Sequence, residues 1–158
     1  MNISEIKYNC ASNGTGVRTV IYVSGCKLHC PGCFNHSTWD FSTGKELNDE
    51  LTEEIFKSIE PEHISGLSIL GGEPLDEQNQ ESVAKLIKSY RKRFGFSKTI
   101  WLWTGYTENT VPVTNHTREI LKNIDVLVDG PYIEAEAKGH HPFRGSGNQR
   151  ILYRGKDF

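Results

Sequence analysis

The chain alternates between short apolar runs and amphipathic segments along most of its length. Some segments carry apolar side chains at helical spacing, as in the series Leu47, Leu51, Ile55 and Ile59. This spacing predicts helices at 46–59, 77–94 and 114–124. Runs rich in β-branched and aromatic residues predict strands at 18–24, 67–70, 98–103, 125–128 and 150–153.

The alternation of strands and helices indicates βαβ units around a parallel sheet. A complete eight-stranded α/β barrel takes about 250 residues, whereas this chain has 158. We therefore expect an α/β fold that is either a partial, open (β/α) barrel or a small sheet. No repeat or low-complexity segment interrupts the pattern, so residues 1–158 are predicted to form a single domain.

Composition and charge narrow the classes of function. The chain is 36% hydrophobic and 24% charged, with a formal net charge of −2, as is typical of globular proteins. Because no strongly basic field exists, we expect no nucleic acid as the main partner. The N-terminal stretch MNISEIKYNC lacks the apolar centre of a secretory signal, and no apolar run is long enough to span a membrane. We therefore expect a cytoplasmic protein without membrane contact, in which cysteines stay reduced.

Three of the four cysteines fall within the segment SGCKLHCPGCF at 24–34. Clustered cysteines in a reducing compartment indicate a metal site or catalysis rather than disulfides. Cys26, Cys30 and Cys33 can reach one metal centre from a single loop, and thiolate-rich sites select zinc or iron–sulfur clusters. A four-iron cluster held by three cysteines leaves one iron free to bind a substrate.

A zinc loop remains the alternative interpretation of these cysteines. A closed tetrahedral zinc site needs a fourth ligand, and the candidates are His29, His36 and Cys10. None of them has the paired spacing typical of zinc sites. On this interpretation the protein is a zinc-stabilised binding module without catalysis.

An unusual segment follows each of the four central predicted strands. These segments are GCKLHCPGCF, GGEP, TGY and DGPY. Because the carboxyl ends of parallel strands share one edge, we expect the cysteines, Glu73 and Asp129 on one side of the domain. The carboxylate of Glu73 either stabilises the N-terminus of the next helix or accepts hydrogen bonds from a ligand ammonium. Asp129 is a candidate for a polar contact with a cofactor.

The spacing C-x3-C-x2-C followed by GGEP resembles the signature of the radical S-adenosylmethionine superfamily. A narrower resemblance, to anaerobic ribonucleoside-triphosphate reductase-activating proteins, rests on six collinear blocks. These are NGTGVRT (13–19), SGCKLHCPGCFNHSTW (24–39), LGGEPLDEQN (70–79), IWLWTGY (100–106), DVLVDGPY (125–132) and FRGSGNQR (143–150). The chain departs from the usual family pattern at Thr15, which replaces a proline, and at Gly32, where many superfamily members have an aromatic residue.

The resemblance implies a partial barrel of the radical S-adenosylmethionine type and two cofactors, a [4Fe–4S] cluster and S-adenosylmethionine. It implies that the cluster is bound by Cys26, Cys30 and Cys33. It implies that the methionine ammonium is held by Gly71, Gly72 and Glu73, and that Gly32, Cys33 and Phe34 lie along the cofactor. No catalytic residue beyond the cluster ligands is implied.

The resemblance also implies an activity and partners. A flavodoxin-type donor would reduce the cluster, and cleavage of S-adenosylmethionine would give methionine and a 5′-deoxyadenosyl radical. That radical would take a hydrogen atom from a glycine near the C-terminus of an anaerobic ribonucleoside-triphosphate reductase. The short chain suggests separately that a partial barrel leaves an open side, through which a peptide loop of such a substrate would enter. A homodimer and a heterotetramer with the reductase both remain open. The alternative enzyme is a small radical enzyme that acts on a free metabolite.

Several other residues receive simpler interpretations. Cys10 is expected to be a small thiol packed as a hydrophobe, and His140 and His141 are expected in a solvated loop. Arg144 and Arg150 either hold an internal carboxylate or meet an acidic surface of the partner, and the sequence does not separate these roles.

Overall fold

Four parallel strands form the centre of a seven-stranded sheet in the computed structural model, which describes residues 1–158. The strands are β1 (Asn2–Cys10), β2 (Val17–Val23), β3 (Lys45–Glu46), β4 (Ile64–Gly71), β5 (Thr99–Trp103), β6 (Val126–Asp129) and β7 (Arg150–Tyr153). Their order is β3-β1-β2-β4-β5-β6-β7. Strands β2, β4, β5 and β6 are parallel, whereas β1, β3 and β7 pair antiparallel. The predicted α/β class is confirmed, and the sheet is mixed rather than wholly parallel.

Three helices pack together against one face of this sheet. They are α1 (Asp49–Ile59), α2 (Gln80–Phe94) and α3 (Asn115–Asn123). Their apolar stripes form the main core with alternate residues of the central strands, including Ile21, Leu67, Ile69, Ile100 and Leu102. This arrangement follows from right-handed crossovers between neighbouring parallel strands. None of the helices is long and apolar enough to cross a membrane.

The predicted helices are confirmed, but α1 and α2 begin three residues later than the periodicity indicates. Helix α1 begins after Asn48, whose side-chain oxygen accepts a hydrogen bond of 2.8 Å from the backbone N–H of Leu51. Helix α2 begins at Gln80, after a turn that contains Glu73 and Pro74. The residues between β4 and α2 are therefore available to shape the edge of the sheet.

Strands β1 and β3 were not predicted from the sequence. Of the nine residues in β1, only Ile3 is buried, and charged residues such as Glu5 and Lys7 interrupt its apolar pattern. Strand β3 has two residues, both of them exposed. These strands form through antiparallel pairing with β2 and β1, which leaves no strong apolar signal in the sequence.

The opposite face of the sheet carries a second, smaller cluster. Trp101, Val126 and Val128 are buried there, and Trp103 and Phe143 pack against them. Their side chains alternate along the strands with those of the main core, as the two-residue period of a strand requires. The segment between β6 and β7 contributes Phe143 to this cluster, so it folds back over the face that the helices leave open.

Arg18 is fully buried on this second face. Its guanidinium donates to Ser68 Oγ, to Thr99 Oγ1 and to the carbonyl oxygens of Thr15, Leu67 and Thr99, at 2.8–3.1 Å. Ser68 Oγ in turn donates to the carbonyl oxygen of Asn13 at 2.6 Å. This network holds the loop between β1 and β2 against strands β4 and β5.

Candidate functional site

The carboxyl ends of β2, β4, β5 and β6 surround one cavity of about 390 Å³. Backbone hydrogen bonds join the segments that follow these strands. Gly72 N–H donates to Val23 O and Glu73 N–H to Gly25 O, both at 2.8 Å. Gly130 N–H donates to Tyr106 O at 2.9 Å. The volume lies within the range of small-molecule and cofactor sites.

The loop that carries the cysteines is closed by its own backbone. Gly25 N–H donates to Thr38 O at 2.7 Å, and Cys26 N–H donates to Trp39 O at 3.1 Å. A tighter turn inside the loop brings Cys33 N–H within 3.1 Å of Cys30 O. Gly32 has a φ of +75°, which a residue with a side chain rarely adopts. The loop therefore directs its cysteines to one side.

Cys26, Cys30 and Cys33 are free, half-buried thiols that all line the cavity. Burial raises the pKa of Cys26, and the backbone N–H groups of Leu28 and His29 oppose this rise by hydrogen bonding to its sulfur. Asn35 N–H lies 3.4 Å from Cys33 Sγ. Such N–H groups stabilise thiolate ligands, and they also tune iron–sulfur clusters.

The donor set of three thiols around one cavity fits an iron–sulfur cluster. Thiolates of an iron–sulfur cluster bind different irons, so they need to surround a space rather than meet at a point. Of the alternative fourth zinc ligands, His29 and His36 pack their rings on Trp39, at centroid distances of 4.1 and 4.6 Å, and Cys10 lies outside the cavity.

The glycine turn after β4 lies directly against the start of the cysteine loop. A Cβ atom on Gly72 would lie 2.5 Å from the carbonyl oxygen of Gly25, so only glycine allows this approach. The side-chain amide of Asn79 joins the two segments, because it donates to Ser24 O at 3.1 Å and to Glu73 O at 3.0 Å. Asn79 was not singled out from the sequence, because the periodicity placed it inside the helix predicted at 77–94, whereas α2 begins at Gln80.

Glu73 is buried, and its carboxylate connects the ends of β4 and β5. Its oxygens accept hydrogen bonds from Thr104 Oγ1 and Gly105 N–H, both at 2.7 Å, and from Leu75 N–H at 2.9 Å. Burial raises the pKa of this carboxyl to about 7, although the three hydrogen bonds oppose the rise. The carboxylate lines the cavity and is held in place before any ligand arrives.

We expect Glu73 to make the stability of the cluster-free protein depend on pH. Its pKa rises from 4.5 to about 7 in the folded state, so the neutral carboxyl stabilises the fold below the unfolded value. This contribution is lost as the pH rises through about 7. Glu73→Gln carries no charge at any pH. The difference in free energy of unfolding, wild type minus variant, should therefore fall between about pH 5 and about pH 8 in urea titrations. A difference that increases over this range would show that the fold stabilises the ionised carboxylate.

The structure brings most of the predicted site residues together and separates two of them. The predicted residues that line the cavity are Cys26, Cys30, Cys33, Phe34, Gly71, Gly72 and Glu73. Gly32 does not line it, since this residue packs against the side chain of Glu134. Asp129 does not line it either, because Arg150 donates to both of its carboxylate oxygens, at 2.9 and 2.5 Å. The structure thus places Asp129 in an ion pair at the end of β6, and its contact with a cofactor stays a prediction.

The rim of the cavity is aromatic. Phe34 is 76% exposed and meets the ring of Tyr132 edge-on, at a centroid distance of 5.7 Å. Trp103 lines the wall, and its Nε1–H donates to Phe143 O at 2.7 Å. His141, predicted in a solvated loop, also lines the cavity. Tyr132 belongs to the DGPY segment that follows β6, whereas His141 comes from a segment without regular periodicity and was not expected at the site.

Comparison with known proteins adds an independent observation. A family model described as a 4Fe-4S single cluster domain matches residues 12–152. Three relatives carry the name anaerobic ribonucleoside-triphosphate reductase-activating protein. The protein of Enterobacteria phage T4 is 38% identical over 88% of this chain and 85% of its own length. The Vibrio cholerae protein is 38% identical over 88% and 89%, and that of Escherichia coli K12 is 34% identical over 88% and 90%.

Proposed function

Because this chain belongs to the family of anaerobic ribonucleoside-triphosphate reductase-activating proteins, it is an iron–sulfur activase, and we propose that it uses S-adenosylmethionine to generate a glycyl radical on an anaerobic ribonucleotide reductase. The observation that carries this proposal is the convergence of three free cysteines and the Gly71–Glu73 turn on one cavity. Reducing S-adenosylmethionine to a carbon radical requires an electron source. It also requires that the amino-acid group of S-adenosylmethionine be anchored in contact with that source. The cavity offers ligands for both.

Cys26, Cys30 and Cys33 would bind the [4Fe–4S] cluster and leave one iron without a protein ligand. When bound and reduced by one electron, the cluster supplies the electron that cleaves S-adenosylmethionine to methionine and a 5′-deoxyadenosyl radical, which takes a hydrogen atom from the target glycine. The protein itself binds and orients the cofactors and excludes water from them. Leu28, Trp39 and Phe34 line the cavity beside the thiols, so they would limit the access of solvent.

Glu73 would accept hydrogen bonds from the methionine ammonium. Each carboxylate oxygen has more than one lone pair, so the three donors that position Glu73 do not exhaust its capacity. Gly71 and Gly72 would let the ligand approach the backbone closely. Phe34 would pack along the cofactor from the rim, and Gly32 would act indirectly, through the shape of the cysteine loop. The ion pair with Arg150 leaves Asp129 with the role of fixing the end of β6.

We propose that the fold is a partial, open barrel of the radical S-adenosylmethionine type. The parallel strands β2, β4, β5 and β6, the helices on one face and the cavity at the carboxyl ends support this proposal. Four parallel strands are too few to close a barrel, so one side stays open. A peptide loop of the reductase could enter there. A flavodoxin-type protein would donate the electron, and the site of action would be the cytoplasm, where thiols and clusters stay reduced.

The proposal predicts a defined cofactor content and reaction. Protein purified without oxygen should be brown and should contain one [4Fe–4S] cluster per chain. With dithionite and S-adenosylmethionine it should release methionine and 5′-deoxyadenosine in equal amounts, measured by liquid chromatography. Colourless protein with stoichiometric zinc would contradict the proposal and support the zinc-stabilised module. Cluster-loaded protein that leaves S-adenosylmethionine intact would contradict the proposed chemistry alone.

A further inference from the structure

The side chain of Arg144 lies in the cavity wall, and its guanidinium has no carboxylate partner. Its Nη1 donates to the carbonyl oxygen of Gln149 at 3.1 Å. Its Nε is the one buried side-chain nitrogen or oxygen in the chain without a hydrogen-bond partner. By contrast, Arg91, Arg93, Arg150 and Arg154 all form ion pairs with carboxylates. A buried donor without an acceptor is costly, so this exception calls for a partner from outside the chain.

The loop around Arg144 holds the side chain in place. Phe143 has a φ of +61°, in the left-handed region that phenylalanine rarely adopts. Trp103 fixes this conformation through its hydrogen bond to Phe143 O. On the other side, Gln149 Oε1 accepts from Gly145 N–H at 2.7 Å, and Gln149 Nε2 donates to Gly130 O at 2.9 Å. Strained backbone that is held by its surroundings is found preferentially at functional sites.

The loop of Arg144 is anchored two strands away from the ammonium site. It is anchored to Gly130, which follows β6, whereas Gly71–Glu73 follows β4, and β5 lies between these strands. Two strand spacings correspond to roughly 10 Å. The ammonium and carboxylate of S-adenosylmethionine are attached to one carbon atom, so both would lie near Glu73. Its adenosyl end carries no negative charge. On this spacing, the carboxylate of S-adenosylmethionine would lie beside Glu73 rather than at Arg144.

The lack of a carboxylate partner for Arg144 favours an anionic ligand at this end of the cavity. Glu73 is the only Asp or Glu side chain that lines the cavity, and it already accepts three hydrogen bonds. The positive charge of Arg144 is thus uncompensated, while that of Arg150 is compensated by Asp129. The structure separates the two roles that the sequence left open: Arg150 holds an internal carboxylate, and Arg144 is available to a partner.

We propose that Arg144 binds a carboxylate of the reductase polypeptide that enters the cavity from its open side. This inference rests on the proposed function, because it takes the reductase as the macromolecular substrate. An arginine fork binds a carboxylate through two parallel hydrogen bonds, which would fix the orientation of the entering segment. Arg144 is then a positioning residue for the protein substrate, distinct from the residues that bind the cluster.

The test compares Arg144→Gln with Arg144→Lys, and uses Arg118→Gln as the matched control. Arg118 is exposed on α3 and lies outside the cavity. With cluster-loaded protein, Arg144→Gln should raise the reductase concentration for half-maximal glycyl radical formation by about tenfold. The half-saturating concentration of S-adenosylmethionine, measured without reductase, should shift less than about twofold in this variant. Arg144→Lys should be intermediate, because it keeps the charge and loses the fork.

Direct binding of the reductase to the activase, measured by biolayer interferometry without oxygen, should weaken by the same factor in Arg144→Gln. It should also become less sensitive to salt. Unchanged reductase affinity would overturn the inference, and so would a tenfold rise in the half-saturating S-adenosylmethionine concentration, which would assign Arg144 to the cofactor. Wild-type protein that does not cleave S-adenosylmethionine would contradict the proposed function, while the binding comparison would still decide the role of Arg144.

Discussion

Replacing Cys30 by alanine is expected to abolish the reductive cleavage of S-adenosylmethionine. Cys30 lies between Cys26 and Cys33 in a loop whose backbone holds all three thiols around one cavity. Each thiolate would bind a different iron, so the loss of one leaves a second iron without a protein ligand and a cluster that the site no longer retains. Iron content, visible absorption and 5′-deoxyadenosine formation should therefore fall together. The fold should persist, because Cys30 is half-buried and belongs to neither core cluster.

Cys10→Ala is the matched control for this experiment. Cys10 is also a free, half-buried thiol, but it ends β1, where its sulfur lies 3.5 Å from Asn13 Oδ1, and it does not line the cavity. The Cys10 variant should keep its cluster and its activity. Far-ultraviolet circular dichroism should show the same secondary structure in both variants. Cleavage retained in Cys30→Ala, or lost equally in Cys10→Ala, would contradict the assignment of the three ligands.

Arg18→Met is expected to lower the free energy of unfolding by about 3–5 kcal/mol, a large share of the stability of a typical domain. Arg18 is fully buried, and its removal leaves the carbonyl oxygens of Leu67 and Thr99 without the donors that they now have. Burial lowers the pKa of Arg18 to about 10, so the side chain is still charged at neutral pH. Methionine fills part of the volume but donates nothing.

The comparison for Arg18 is Arg93→Met. Arg93 forms ion pairs with Glu53 and Glu60 on the surface, where water and salt screen the charges and such pairs contribute little to stability. Urea titrations of both variants should show a much lower midpoint for Arg18→Met than for Arg93→Met. An Arg18 effect no larger than that of Arg93 would mean that the buried network is not essential to the fold.

The periodicity of the sequence was sufficient to predict the helices and the central strands. Their apolar residues are buried at regular intervals, as in the series Leu51, Ile55 and Ile59 of α1. The first strand was not predictable in this way, because it holds its place by backbone pairing to β2 and buries little besides Ile3. Exposed positions are free to carry polar residues, so they leave no periodic signal.

The position of the site was predictable for a topological reason. The carboxyl ends of neighbouring parallel strands meet at one edge, so the cysteines and Glu73 were expected together, and the structure brings them to one cavity. Asp129 shows the limit of this reasoning. Its partner Arg150 is opposite it in the antiparallel pair of β6 and β7, a contact between distant parts of the chain that no local pattern indicates. Arg144 could be separated from Arg150 only once this ion pair was known.

Electron paramagnetic resonance of the reductase, after anaerobic incubation with this protein, S-adenosylmethionine and a reductant, would detect the product of the proposed reaction itself. We expect the doublet signal of a glycyl radical on the reductase, dependent on S-adenosylmethionine and absent when Cys30→Ala replaces the wild-type activase. If S-adenosylmethionine is cleaved to 5′-deoxyadenosine in the same sample and no doublet forms, the reductase is not the substrate and the proposed function is wrong.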